Sequence, residues 1–232
     1  MQERAQPFLY AGWSVECPCC GAHFREFLPH GRPLRQNARC GRCDAVERHR
    51  VMMLYLQNRT DLFTAKQKLL HFAPERIMRE IFSATPTLQY VTTDYCEPTD
   101  VHMDITSLAI PDNTFDAVIC SHVLEHIPDD AKAMRELCRV LKPGGWAILQ
   151  VPIDLKRDHT YEDFTITTPA ERRLHFGQED HVRWYGSDYP QRLKTAGFDV
   201  TVDQFVPSLP AETIAKYGLL TSEDVYFCRK PA

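Results

Sequence analysis

The period of the hydrophobic positions changes twice between residues 115 and 152, and the changes predict a strand, a helix and a second strand. Phe115 to Cys120 is a short apolar run rich in β-branched residues, and Trp146 to Val151 is another. Between them Ala131, Met134, Leu137, Cys138 and Leu141 recur at helical spacing until Pro143-Gly144-Gly145 stops the helix. Two buried strands joined by such a crossover form a parallel βαβ unit. Upstream, Lys68 to Phe72 reads as a strand entering Ala73-Pro74-Glu75, with Pro74 suited to the first turn of the next helix. Leu88 to Thr93 alternates as a strand ending at Asp94. Residues 45–56 read as a helix with Val51, Leu54 and Tyr55 on one face, and Asp61-Leu62-Phe63-Thr64 reads as a boundary. Downstream, Ser187-Asp188 opens a helix that Gly197 closes, and residues 198–205 and 225–228 read as strands.

Composition adds modest bounds. With 232 residues, 44% of them hydrophobic, the chain can bury one main core and carry a small appendage. No apolar run approaches the ~20 residues of a membrane-spanning helix, and the start, MQERAQPFLYAGW, lacks the basic-then-apolar order of a signal peptide. A cytoplasmic protein without a membrane partner is expected. Charge is uneven: residues 1–60 hold nine arginines against five acids, whereas residues 61–232 hold 18 basic and 26 acidic residues. The N-terminal part is therefore a separate module. A basic module can meet nucleic acid or another anion, although arginines at this density are more often a solvated surface.

Cys17-Pro18-Cys19-Cys20-Gly21 and Cys40-Gly41-Arg42-Cys43 each supply two thiolates at Cys-x2-Cys spacing beside a glycine, with 19 residues between the pairs. That is the pattern of a zinc ribbon closing tetrahedrally on one Zn²⁺. Cys17, Cys20, Cys40 and Cys43 are the candidate ligands, and Cys19 is read as a bystander. Four thiolates leave no position for water, so the metal's role is structural, holding together a segment too small to fold on its own apolar burial. A disulfide framework fits less well, since nine cysteines is an odd number.

FDAVICSHVLEH followed by RVLKPGGWAIL closely resembles the central part of class I S-adenosylmethionine-dependent methyltransferases. The HFAPE loop, the ERHR segment, the CPxCG module and HFGQEDHVRWYG are similar to segments of bacterial type-11-like members. The resemblance implies an α/β, Rossmann-like, doubly wound sheet with an antiparallel last strand, preceded by the four-cysteine ribbon. Residues 1–60 would form the ribbon and linking helix, and residues 61–232 the methyltransferase domain. Cofactor binding would fall to His71, Phe72, Ala73, Pro74 and Glu75, a loop without the family's glycines. Asp94 would accept the ribose hydroxyls, and Asp104 the adenine amine, with Ile105 against the ring. Ser121 would line the cofactor and His122 face the substrate. For Glu125-His126 the plain reading is hydrogen bonding at a helix start.

Residues 154–186 form a long insertion, and one of this size inside a compact domain is usually functional. It is expected to be a lid or substrate wall. Within it His181, paired with Asp180, is the candidate general base, with His122 the next candidate. His175, Gln178, Arg183 and Tyr185 are candidate substrate contacts. The expected reaction is methyl transfer from S-adenosylmethionine to an O or N nucleophile of a small-molecule, sugar or peptide acceptor. An RNA methyltransferase using the basic zinc module is the alternative, and a non-catalytic scaffold with a degenerate loop is another. The sequence leaves the oligomeric state open.

Overall fold

The computed structural model describes residues 10–31, 33–95 and 99–232. In chain order the elements are β1 (Val15–Glu16), β2 (His23–Phe24), β3 (Leu28–His30), β4 (Arg35–Arg39), α1 (Glu47–Arg59), β5 (Gln67–Phe72), α2 (Arg76–Ser83), β6 (Leu88–Asp94) and β7 (Val101–His102). There follow β8 (Phe115–Ser121), α3 (Asp130–Val140), β9 (Leu141–Gln150), β10 (Tyr161–Glu162), α4 (Pro169–Phe176), β11 (Arg183–Trp184), α5 (Tyr189–Thr195), β12 (Asp199–Asp203), α6 (Ala211–Tyr217) and β13 (Val225–Arg229). Among the described residues no helix is long and apolar enough to cross a membrane.

The chain divides into two compact units, and the division is not the expected cut at residue 60. The first comprises Met1–Lys66, Glu75–Leu88 and Gln204–Asp224, and the second Gln67–Pro74, Gln89–Asp203 and Val225–Ala232. The reason lies in α1. Val51 to Leu56 are all buried, so this helix is apolar all round rather than on the single predicted face. It needs cover on every side. Tyr55 meets Phe205 edge to face at 5.3 Å, and Phe63 packs on Phe82. Arg50, fully buried, donates to the carbonyls of Ala38, Ala45, Tyr217 and Gly218 and lies 4.0 Å over the Phe27 ring. A sixty-residue module with little core of its own thus takes in α2 and α6.

The second unit is built on a seven-stranded sheet in the order β12-β13-β9-β8-β5-β6-β7. β5, β8 and β9 run parallel, and β13 is antiparallel to both β9 and β12. Central β8 is buried from Ala117 to Ser121, as a strand covered on both faces requires. Ala133, Met134 and Leu137 of α3 and Leu193 of α5 share one core with Leu70, Val118 and Leu149 of the sheet. The predicted strand–helix–strand unit is present, but α3 ends at Val140 and β9 begins at once, so Pro143-Gly144-Gly145 lies within the strand, with Pro143 and Gly144 exposed and Gly145 buried. Gly145 is required there: a Cβ would lie 2.9 Å from the Lys142 carbonyl. Pro74 sits two residues ahead of α2 rather than in its first turn. The insertion is not structureless either, since β10 pairs with β11 and a Thr168–Glu171 capping box opens α4.

Candidate functional site

Two local turns bring the ribbon thiols together. In the first, Cys20 and Gly21 donate backbone N–H groups to the Cys17 carbonyl, and Gly21 adopts φ +66°. In the second, Asp44 rather than Gly41 takes the left-handed position, at φ +63°, and donates to the Cys40 carbonyl. Aspartate tolerates that region better than most residues. Sγ of Cys17 lies 3.7 Å from that of Cys43, and Sγ of Cys20 lies 3.7 Å from that of Cys40. Zinc–sulfur bonds of about 2.3 Å at tetrahedral angles place sulfurs about 3.8 Å apart, which these two pairs match, and all four sulfurs lie within 4.8 Å of one another. All four are free thiols. The thiols share protons among themselves: contact with their neighbours, Cys17 foremost, pulls Cys20 and Cys40 down, while Cys17 and Cys43 are pushed up. Cys19 stands aside, its thiol donating to the His49 carbonyl at 3.6 Å.

In the second unit the sheet aligns the predicted cofactor residues along one edge. Phe72 pairs with Cys120, the Ala73 N–H donates to the Thr93 carbonyl at 2.9 Å, and Ser121 pairs with Gln150. The row at the carboxyl ends of β5, β6, β8 and β9 thus runs Ala73, Asp94, Ser121 and Gln150. Strand order reverses between β5 and β8, and α/β sheets bind ligands at that crevice. Ala73 adopts φ +45°. The loop lacks glycine yet still makes the left-handed turn, with a residue whose side chain is a single methyl, so its backbone can pass close to a ligand. The residues therefore fit a nucleoside-type cofactor: Asp94 stands at the end of β6, where a carboxylate can accept from ribose hydroxyls.

Several neighbours have other duties. His71 lies inside β5, buried, with Nδ1 2.9 Å from the Tyr90 hydroxyl. Glu75 belongs to the first unit and accepts from His49 Nε2 at 3.1 Å. The tautomer follows from Val46, whose N–H donates to His49 Nδ1. Phe72 and Ile105 are buried in the core of the second unit, so Ile105 packs against protein rather than standing open for a ring. Asp104 is exposed and its Oδ1 accepts from the Thr106 N–H and hydroxyl, which holds its carboxyl below the usual range. That is the turn-capping role a short acidic side chain favours.

After β8 the chain turns sharply. His122 adopts φ +56°, unusual for a residue with a bulky side chain, while its N–H donates to the Gln150 carbonyl at 2.8 Å. Its ring is 34% exposed, with Nδ1 3.3 Å from Oε1 of the buried Glu125. His181 is 2% exposed and meets His126 edge to face, and burial pushes its imidazole down. Asp180 is exposed, 3.3 Å from His126. His175 and Gln178 are exposed on the insertion, His175 within reach of the Tyr161 hydroxyl.

Arg183 and Tyr185, expected at the substrate, are fully buried supports. Arg183 donates to the carbonyls of Leu124, Ile127 and Pro128 and to Glu162, holding the backbone that follows β8. Tyr185 donates to Asp130, and Arg192 grips the same carboxylate with both arms. Asp130 was not among the candidates. Nothing in its spacing announces it, because its partners lie more than fifty residues along the chain.

Residues 83–149 match the Methyltransferase domain family. A ubiquinone/menaquinone biosynthesis C-methyltransferase, UbiE, of Francisella philomiragia is 30% identical over 112 residues, which cover 43% of this chain and 45% of that protein. The chain thus spans less than half the length of this relative. An S-adenosylmethionine-dependent methyltransferase from Mesorhizobium loti superposes with a TM-score of 0.51 at 15% identity, covering 72% of this chain and 93% of that one. The fold is that of the class I methyltransferases. The [4+2]-cyclase SpnF shares it too, with a TM-score of 0.54 and 16% identity over 79% of this chain and 81% of that one. Methyl transfer is therefore a matter for the site, not for the fold.

Proposed function

We propose that this chain is an S-adenosylmethionine-dependent methyltransferase whose N-terminal thiols hold a structural zinc ion. The observation that carries the reading is the row at the sheet's carboxyl edge, where the left-handed Ala73 turn, Asp94 and His122 border the strand-order switch. The Ala73 turn also weighs against the scaffold alternative, since a loop freed from cofactor binding has no need to keep a strained backbone. When bound, S-adenosylmethionine supplies an electrophilic methyl group. Asp94 accepts the ribose hydroxyls, and the Ala73 backbone gives the close approach.

The acceptor reading moves from O or N towards carbon, because a relative matched over 112 residues is named a C-methyltransferase. A carbon nucleophile becomes reactive when an adjacent hydroxyl loses its proton, and a base must be at hand. His122 takes that role in preference to His181. It is the more exposed of the two and Glu125 faces its Nδ1, whereas His181 is enclosed. His122→Ala should lower turnover by ~100-fold with cofactor affinity unchanged. The assay uses methyl-labelled cofactor and a panel of small phenols and enols, with the product bond identified by mass spectrometry. Full activity in His122→Ala would remove the base, and products methylated only at O or N would remove the carbon acceptor.

A further inference from the structure

Among the described residues a second cluster of metal-capable side chains stands apart from the ribbon: one donor atom each of Glu125, His126 and His181 lies within 4.8 Å of the others. All three residues belong to the second unit. Glu125 is 1% exposed and His181 2%. Neither carboxylate oxygen of Glu125 has a hydrogen-bond partner, nor does Nδ1 of His181. His122 approaches Oε1 at 3.3 Å, a single contact for a carboxylate that can accept about four hydrogen bonds. A buried carboxylate met so sparsely is unfavourable unless a cation replaces the water it has lost.

The surroundings are those of oriented ligands. The carbonyl and Oδ2 of Asp180 each lie 3.3 Å from His126 Nδ1 and fix that ring. Outer contacts of this kind set the tautomer and direction of metal-binding imidazoles. The backbone locks the two segments together as well, the Val182 N–H donating to the Glu125 carbonyl at 2.9 Å.

We propose that Glu125, His126 and His181 bind a divalent transition-metal ion of the zinc type, fastening the 154–186 insertion to the turn after β8. Two imidazoles and one carboxylate suit such ions rather than Mg²⁺ or Ca²⁺. A tetrahedral ion at about 2.0–2.1 Å holds its donors about 3.4 Å apart, so rotations of about an ångström close the set. Three protein donors leave a position for water or an acceptor oxygen. The proposal does not depend on the methyl-transfer reading, because the site would hold its ion with no cofactor or acceptor present.

Metal content decides it. The full-length protein is equilibrated with ZnCl₂, desalted and analysed, and the expected result is about two equivalents in the parent and about one in His126→Ala and in Glu125→Gln. With Co²⁺ in place of Zn²⁺, the second equivalent should add visible d–d bands without thiolate charge transfer. A parent that retains one equivalent, all of it showing thiolate charge transfer, overturns the site even if both variants fail to fold. Two equivalents that survive in His126→Ala and in Glu125→Gln overturn it as well.

Discussion

Cys40→Ser is expected to strip the zinc from the N-terminal module and to unfold the first unit. Two of the sulfur pairs already stand at the spacing a tetrahedral zinc ion imposes and all four sulfurs lie within 4.8 Å of one another, so the ion binds with little rearrangement. Structural zinc contributes about 10–16 kcal/mol of apparent binding free energy in small modules, against ~5–15 kcal/mol for the whole stability of a domain. The loss extends beyond the ribbon because of Arg50. Four thiolates on one dication leave a net negative site, and the wholly buried Arg50 guanidinium, pushed below its usual range by burial and held up by Cys17 and Glu47, answers part of that charge. With the ion lost, that charge keeps Glu47 as its carboxylate counterpart but loses part of the compensation at the thiol site, which weakens the post from which it bonds Ala38 of β4 and Tyr217 and Gly218 at the end of α6. Metal analysis should give one zinc fewer than the parent, and hydrogen exchange should show protection lost across residues 10–66 and 204–224. Equal zinc content, or equal protection, would refute the assignment.

Arg183→Ala should destabilise the second unit by about 3–5 kcal/mol, the range for removing one partner of a buried charged network. The guanidinium donates to three carbonyls, Leu124, Ile127 and Pro128, the first of which also accepts from the Ile127 N–H and the Tyr185 hydroxyl, and it answers the charge of Glu162. Arg183→Lys would keep the charge but lose the planar fork, so it should recover only part of the stability. Thermal or urea unfolding measures both. A stable Arg183→Ala protein with a raised KM alone would restore the residue to the substrate site and undo the structural role given to it here.

The sheet was legible because its signals are local. Phe115 to Cys120, the helical spacing from Ala131 to Leu141 and the Gly197 stop all lie within single elements, and each appears within a few residues of its expected place. The thiol quartet was legible for the same reason, since Cys-x2-Cys geometry is a property of one turn. What the sequence concealed depends on distant partners. Glu125-His126 looked like an ordinary helix start, because His181, which completes the cluster, lies 55 residues further on. Arg183 and Tyr185 carry chemistry that suits a substrate as well as a backbone clamp, and only burial separates the two roles. The first unit takes in α2 and α6 because the buried run of α1 from Val51 to Leu56 presents apolar side chains on every face, a demand that a one-face reading of the helix does not reveal.

Calorimetric titration of the zinc-loaded parent and of Asp94→Ala with S-adenosylmethionine decides whether this chain binds the cofactor. One saturable site per chain is expected, weakened by ~1.5–3 kcal/mol in Asp94→Ala, the cost of losing charge-assisted hydrogen bonds to the ribose. A folded, zinc-loaded parent that releases no heat and shows no saturation would contradict it, as would an Asp94→Ala variant that binds the cofactor as tightly as the parent.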